Sequence, residues 1–239
     1  MAHSNDSEII QTARQLLSGR CQGVLATHSV EYPGYPFGSA LPYSLGRNGW
    51  PLILVSHLAR HTQNLNAVPA CSLTITAADN DDIQETARLT SLAVAEPIKE
   101  MDKGQLERHF RYFPESREYY EHLSFRFYLL LPQCFYYIAG FGAARWIGVD
   151  RMQAVNPFSY AEEEKALQQV NQYLSRNIEF ISTIAAKENR ISKSSPLLAV
   201  GLDPNGLDLR QRKRLIRLPF STPISSVAEG LQKITQSAN

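Results

Sequence analysis

The sequence predicts an α+β chain, an antiparallel β-barrel over residues 5–150 followed by a small α+β domain over residues 155–239. Three observations carry this. Six or seven short apolar, strand-like runs fill the first block, joined by brief turns and few helices. A hairpin signal, Gly46-Arg47-Asn48-Gly49, lies between two of them. The second block then runs helix, strand, strand, strand, helix.

Along the chain, residues 6–18 place Ile9, Ile10, Ala13, Leu16 and Leu17 at helical spacing before Gly19. Residues 23–29 read as a strand, and the loop 31–36 leads into a second over 37–45. Asn48-Gly49 accepts the positive φ of a type I′ turn, so residues 51–55 return antiparallel. A helix follows over 57–67 and ends before Pro69. Residues 71–76 and 86–96 read as strands, separated by an acidic loop at 79–82 that lacks the glycine and distal glutamate of a calcium loop. Residues 101–122 look helical with an interruption near Pro114, and 125–131 and 135–139 read as closing strands. In the second block, residues 160–189 are helical, 197–202 and 207–209 form a hairpin across Asp203-Pro204-Asn205-Gly206, 214–220 is a further strand, and 224–234 a closing helix.

Composition excludes several classes. Lys plus Arg total 24 against 23 Asp plus Glu, so there is no basic face for general nucleic-acid binding. No apolar run is long enough for a membrane helix, and the polar opening has no signal segment, so a cytoplasmic protein is expected. Cys21, Cys71 and Cys134 show no zinc spacing, and Cys71 and Cys134 read as buried thiols. Arg210, Arg212, Lys213, Arg214 and Arg217 form the one basic cluster, read as a solvated edge strand. Arg145 is expected to stack on Trp146.

The most informative stretch is Ser56-His57-Leu58-Ala59-Arg60-His61-Thr62-Gln63-Asn64-Leu65. Its first helical turn carries Arg60 and His61 and no acid, against the preference of a helix N-terminus for negative charge. An anion held by free backbone N–H groups, Ser56 and the two basic side chains resolves the conflict. The alternative reading is that Ser56 caps the helix while Thr62 and Asn64 satisfy backbone groups. His57 and His61 lie four apart but have no acidic or Cys partner nearby, so no metal site is expected.

These residues resemble the pyridoxamine 5′-phosphate-oxidase-like, FMN-binding split barrels, in the branch linked to haem utilisation. The likeness rests on Gly34-Tyr35-Pro36-Phe37-Gly38-Ser39 with Leu41-Pro42-Tyr43, Ser56-His57-Leu58-Ala59 with His61-Thr62 and Asn64-Leu65, Arg88-Leu89-Thr90, and residues 140–146. The second block resembles the small domain of unknown function that follows such barrels. That domain's His-Met-Asn-x-Asp-His pattern falls here on residues 169–174, where Asn171 alone matches, and no histidine follows His122. The resemblance implies a split barrel and a homodimer with small-molecule pockets at the subunit interface. It implies FMN, with its phosphate against Ser56, Arg60, His61 and Thr62, its ring or ribitol near Ser39 or Tyr43, and Arg88 adding a phosphate contact; His57 and Asn64 complete the cofactor-binding set. No residue is assigned a catalytic acid or base role. The leading expectation is a flavin-dependent oxidoreductase-like protein. The alternatives are a haem-binding or haem-degrading protein of the same fold and a non-catalytic regulatory barrel.

Overall fold

The computed structural model describes residues 2–77, 84–139, 144–177, 192 and 195–236. The expected acidic loop at 79–82, residues 140–143 of the motif set, and the helix continuation over 178–189 lie outside the described residues.

The chain forms two compact units. The first holds Met1–Glu100 and Glu115–Val155, the second Met101–Pro114 and Asn156–Asn239. The helical stretch read over 101–122 divides at Pro114: Lys103–Tyr112 belongs to the second unit and Ser116–His122 to the first.

In the first unit, α1 (Ala2–Gly19) precedes β1 (Gln22–His28), β2 (Pro36–Pro42), β3 (Ser44–Leu45) and β4 (Pro51–Ser56). Then come α2 (Arg60–Ala67), β5 (Ala70–Thr76) and β6 (Arg88–Pro97). After the excursion into the second unit come Ser116–His122, β7 (Phe125–Ile138), β8 (Ala144–Ile147) and the short helix Val149–Met152. The strands form one antiparallel sheet in the order β2-β1-β5-β6-β7-β4-β3, with β8 beside β7. It curls into a split barrel. Alternation fixes what it encloses: Leu25, Leu73, Ile75, Leu89, Phe135 and Tyr137 all point to one face and are buried with Ile10, Ala13 and Leu17 of α1.

Several local expectations change. The hairpin turn closes through Gly49 N–H donating to Gly46 O at 2.9 Å, but only Gly49, not Asn48, takes a positive φ. The bond puts Arg47 and Asn48, both at negative φ, at the centre of the turn and Gly49 after them in the left-handed region, so a type I′ turn centred on Asn48-Gly49 does not form. The two closing strands are one strand, β7, with a register shift where Pro132 faces Ala93; the irregularity absorbs a residue that cannot donate to the ladder. Arg145 does not stack on Trp146. Its Nη1 donates to Asp6 at 2.5 Å, and Arg151 takes the other carboxylate oxygen, holding the Asp6 carboxyl below its usual range, while Trp146 packs on Tyr136 at 4.8 Å. Cys71 is buried and its thiol is pushed up to about 11, but Cys134 is only half-buried.

The second unit comprises α3 (Lys103–Tyr112), α4 (Tyr160–Arg176), a three-stranded sheet of β9 (Leu198–Asp203), β10 (Gly206–Gln211) and β11 (Arg214–Pro219), and α5 (Val227–Gln236). A capping box between Ser159 and Glu162 starts α4, whose Ala166, Leu167, Val170 and Leu174 meet Leu202, Leu207 and Leu209. Asn171, the surviving motif position, ties α4 to β9. Its amide nitrogen donates to Ala199 O at 3.1 Å, and its amide oxygen accepts from Ala199 N at 2.7 Å. The basic cluster is not a uniformly solvated face. Arg212 and Lys213 form the β10–β11 turn, with Arg212 at φ 55°, while Arg217 turns inward onto Asp203 and Asp208.

His109 on α3 is buried against Phe110 and Phe113, and burial pushes its pKa from 6.5 to about 3. The unfolded chain therefore takes up a proton through a range in which the folded chain stays neutral there. Stability from this residue is complete above pH 6.5 and falls as the pH drops towards 3. The expected slope is about 1.4 kcal/mol per pH unit. Urea midpoints measured between pH 7 and 5 check this, and the slope flattens in His109→Asn.

Candidate functional site

The candidate site is built where β4 hands over to α2. Val55 is buried in the barrel, and Ser56 ends the strand opposite Phe125 of β7. The helix does not start at His57. Residues 56–59 form a turn in which Ser56 O accepts from Ala59 N at 3.1 Å, and Arg60 is the first residue of an eight-residue helix. The N-cap position is therefore Ala59, which has no side chain able to cap. Ser56 Oγ accepts instead from Leu58 N at 3.3 Å. His57 and His61 consequently do not share a helix face.

Two predicted ligand contacts are structural ties. Thr62 is buried and its hydroxyl donates to Ser56 O at 2.7 Å, fastening the first helical turn to the strand end. Asn64 is buried and fully used: Nδ2 donates to Thr27 Oγ1 at 2.9 Å and Oδ1 accepts from Val30 N at 3.0 Å. The bond to Val30 anchors the 29–35 loop beside α2. For these two residues the backbone-satisfying alternative read from the sequence is the one observed.

The groups at the surface of the site are Arg60, His61, Ser39 and His57. His61 Nδ1 lies 3.2 Å from Ser39 Oγ, so two residues expected to contact different parts of one cofactor meet each other from two elements. His61 is half-buried and burial lowers its pKa, so its ring is neutral at pH 7. Arg60 reaches Glu31 of the loop at 3.2 Å and Gln63 at 3.1 Å. Both partners of the ion pair are well exposed, which makes it weak, worth about 0–1 kcal/mol. The conflict seen in the sequence is thus eased from outside the helix: Glu31 supplies a negative charge, and one of the two basic groups is uncharged. What stays open is the helix end itself, since the backbone N–H groups of Arg60 and His61 donate to no acceptor among the described residues.

Tyr43 and Arg88 are not part of this cluster. Tyr43 is fully buried in the barrel core and its phenol donates to Leu17 O at 2.7 Å; burial holds it protonated. Arg88 sits on β6, two strands removed from β2 by β1 and β5. Its neighbour Leu89 points into the core, so Arg88 stands on the outer face, whereas Ser39 pairs with Leu25 on the inner one. Sequence spacing alone does not distinguish the two faces of a strand whose register is unknown.

The loop that supplies Glu31 and the turn before Arg60 carry exposed apolar side chains: Tyr32 (65%), Tyr35 (70%) and Val30 on the loop, and Leu58 (71%) in the turn. His57 is exposed, with Nδ1 3.3 Å from Ser124 O. Among the described residues no group of three or more His, Cys, Asp or Glu is placed to hold a metal ion. No described helix is long and apolar enough to cross a membrane. The corner therefore sets two unengaged backbone N–H groups and one exposed guanidinium in a segment that also exposes aromatic and aliphatic side chains.

A family model described as CREG, beta-barrel matches residues 5–154. The Arabidopsis thaliana protein named non-canonical heme oxygenase HOZ, chloroplastic, is 31% identical over 135 residues, which are 56% of this chain and 41% of that protein. The match thus spans less than half of that relative. The crystal structure of Atu2129 (unknown function) from Agrobacterium tumefaciens superposes with a TM-score of 0.73 at 20% identity, covering 96% of this chain and 94% of that one. A heme binding protein from Mycobacterium smegmatis superposes with a TM-score of 0.56 at 24% identity, covering 96% and 97%. At these identities the two solved structures establish the fold.

Proposed function

Because this chain belongs to the CREG β-barrel family, we propose that its barrel is a haem-handling module that seats a haem carboxylate at the start of α2. The observation that carries this is the pair of unengaged N–H groups at Arg60 and His61 next to a single guanidinium. Such a site suits a singly charged carboxylate. A phosphate dianion asks for more positive charge than one arginine shared with Glu31 and a neutral histidine provide. The exposed Tyr32, Tyr35, Val30 and Leu58 fit the remainder of a large apolar ring. The name of the Arabidopsis relative points the same way. Haem, when bound, supplies the oxygen or redox chemistry. The chain's own part is to fix a propionate with Arg60 and the helix amides, and to keep water from the ring with the exposed apolar side chains.

FMN is the second reading, favoured by the same open amides, since a phosphate also binds at helix N-termini. Parallel titrations with haemin and FMN decide between them. The expected result is a Soret band with haemin, no flavin retention, and a roughly tenfold or greater loss of haemin affinity in Arg60→Ala. Yellow protein whose flavin is lost in the Arg60→Ala, His61→Ala double variant would transfer the proposal to FMN. Uptake of neither would favour a regulatory barrel.

The homodimer expected from the resemblance is part of this proposal, and the outer face of the sheet supports it. Register aligns Val24, Thr74, Thr90, Tyr136 and Trp146 across β1, β5, β6, β7 and β8, with Val24 47% and Trp146 61% exposed. Leu92 beside Cys134 extends the apolar row. Such a face is costly to leave in water. Light scattering should give twice the chain mass, and Trp146→Glu should give monomer.

A further inference from the structure

Resting on the haem reading above, we propose that His57 is the protein ligand of the haem iron, bound through Nε2. The chain's histidines stand at 3, 28, 57, 61, 109 and 122, so any histidine ligand from the chain itself comes from the first 122 residues. His109 is enclosed by Phe110 and Phe113 and gives no access to a macrocycle. His61 is half-buried and occupied with Ser39. His28, at the end of β1, and His122, beside Glu121 at 4.0 Å, are also exposed, but neither ring is tied to a backbone carbonyl among the described residues. His57 alone, among the described residues, joins an exposed ring to a backbone carbonyl at one nitrogen.

That carbonyl decides the chemistry of the ring. Ser124 O can only accept, so the proton of neutral His57 sits on Nδ1 and the lone pair on Nε2. Iron- and zinc-ligating imidazoles are prepared this way, with the second nitrogen donating to a carbonyl or carboxylate that fixes tautomer and ring orientation. The carbonyl itself is held at some cost. Ser124 adopts φ 53°, a left-handed conformation unfavourable for a side chain other than glycine. Its surroundings impose that conformation: Leu123 N donates to Tyr119 O at the end of the preceding helix, and Phe125 is already paired with Ser56 on β4. Ser56 and Phe125 are the last pair of the β4–β7 ladder, and His57 and Ser124 follow directly beyond it, joined by the His57 side chain.

The surface beside the ring suits an apolar plate. Leu58 follows His57 and is 71% exposed; Leu123 precedes Ser124 and is 51% exposed. Tyr119 stacks on Phe125 at 5.2 Å, stiffening that edge. Arg60 and the open amides of α2 come three residues after His57, across the turn closed by Ala59 N and Ser56 O. Iron at His57 and a propionate at Arg60 are thus served by one short segment, residues 57–61, which the strand and Thr62 hold in place.

The full chain is titrated with haemin, reduced, and examined by resonance Raman and absorption spectroscopy. The expected result is an iron–histidine stretching band in the wild type. It is absent in His57→Ala, restored in part by added imidazole, and unchanged in His122→Ala. A band that persists in His57→Ala while haem stays bound overturns the assignment and leaves the haem reading standing. A wild type that takes up no haemin overturns both.

Discussion

Replacing Glu163 with alanine should cost about 3–5 kcal/mol and unfold much of the second unit under mild denaturant. Glu163 is 1% exposed and holds three donors from two elements, α3 and β9: Arg108 Nε at 3.1 Å, Arg111 Nη2 at 3.0 Å and Leu202 N at 3.0 Å. Removing the carboxylate strands a buried guanidinium at Arg108 and orphans a buried N–H on β9. Desolvation already works against Arg108, and Glu163 is the main group that offsets it. Arg108 also donates to the Tyr112 phenol at 3.1 Å, which donates to Asp208 at 2.5 Å. Asp208 and Asp203 share Arg217. The network balances three carboxylates against three guanidiniums, and a change at one end leaves the rest with uncompensated charge. Burial pushes the Asp208 carboxyl up against the pull of Arg217, so this end has little reserve. The check is a denaturation midpoint together with hydrogen exchange over 160–176 and 198–211. A loss under about 1 kcal/mol would show that the cluster contributes no more than an exposed ion pair.

That network also shows where reading the sequence stops. Periodicity locates the helix over Leu167, Val170 and Leu174 and the hairpin at Asp203–Gly206, because both signals are local. The family likeness supplies the split barrel. Nothing local says that Arg108 and Arg111 reach Glu163 more than fifty residues away, or that Arg217, one of a run of basic residues, is the member turned inward. Long-range charge pairing is decided by tertiary packing, and so is the membership of α3 in the second unit. The candidate site follows the same division. Ser39 and His61 are both named by the family likeness, for different parts of a cofactor, but their direct contact is visible only in the fold. Glu31, which answers Arg60, is not, since it lies in a loop twenty-nine positions earlier with no periodic signal. Sequence reading misplaces the helix start by three residues because Ser56 looks like a cap, and only the turn geometry shows that its hydroxyl serves Leu58 instead.

Tyr43 is the residue whose role changes most, and its substitution separates structure from ligand binding. The side chain is completely buried, and its hydroxyl satisfies Leu17 O, one of the last carbonyls of α1, which lack helical partners. Truncation to alanine should cost about 3–5 kcal/mol, as for other large aromatic side chains removed from a core. Tyr43→Phe keeps the packing and removes only the bond, leaving a buried carbonyl unpaired, at about 1–3 kcal/mol. If Tyr43 is solely a tie between α1 and the barrel, the Phe variant lowers the melting temperature and binds haemin or FMN as the wild type does. Weaker cofactor binding at unchanged stability would return Tyr43 to the pocket. The comparison works because the barrel's polar groups fall into two sets. Tyr43, Thr62 and Asn64 have their hydrogen-bonding capacity turned inward and hold the α2 corner and the core in register. Arg60, the amides beside it and the His57 ring face outward, and these are the groups a ligand can reach without first dismantling the fold.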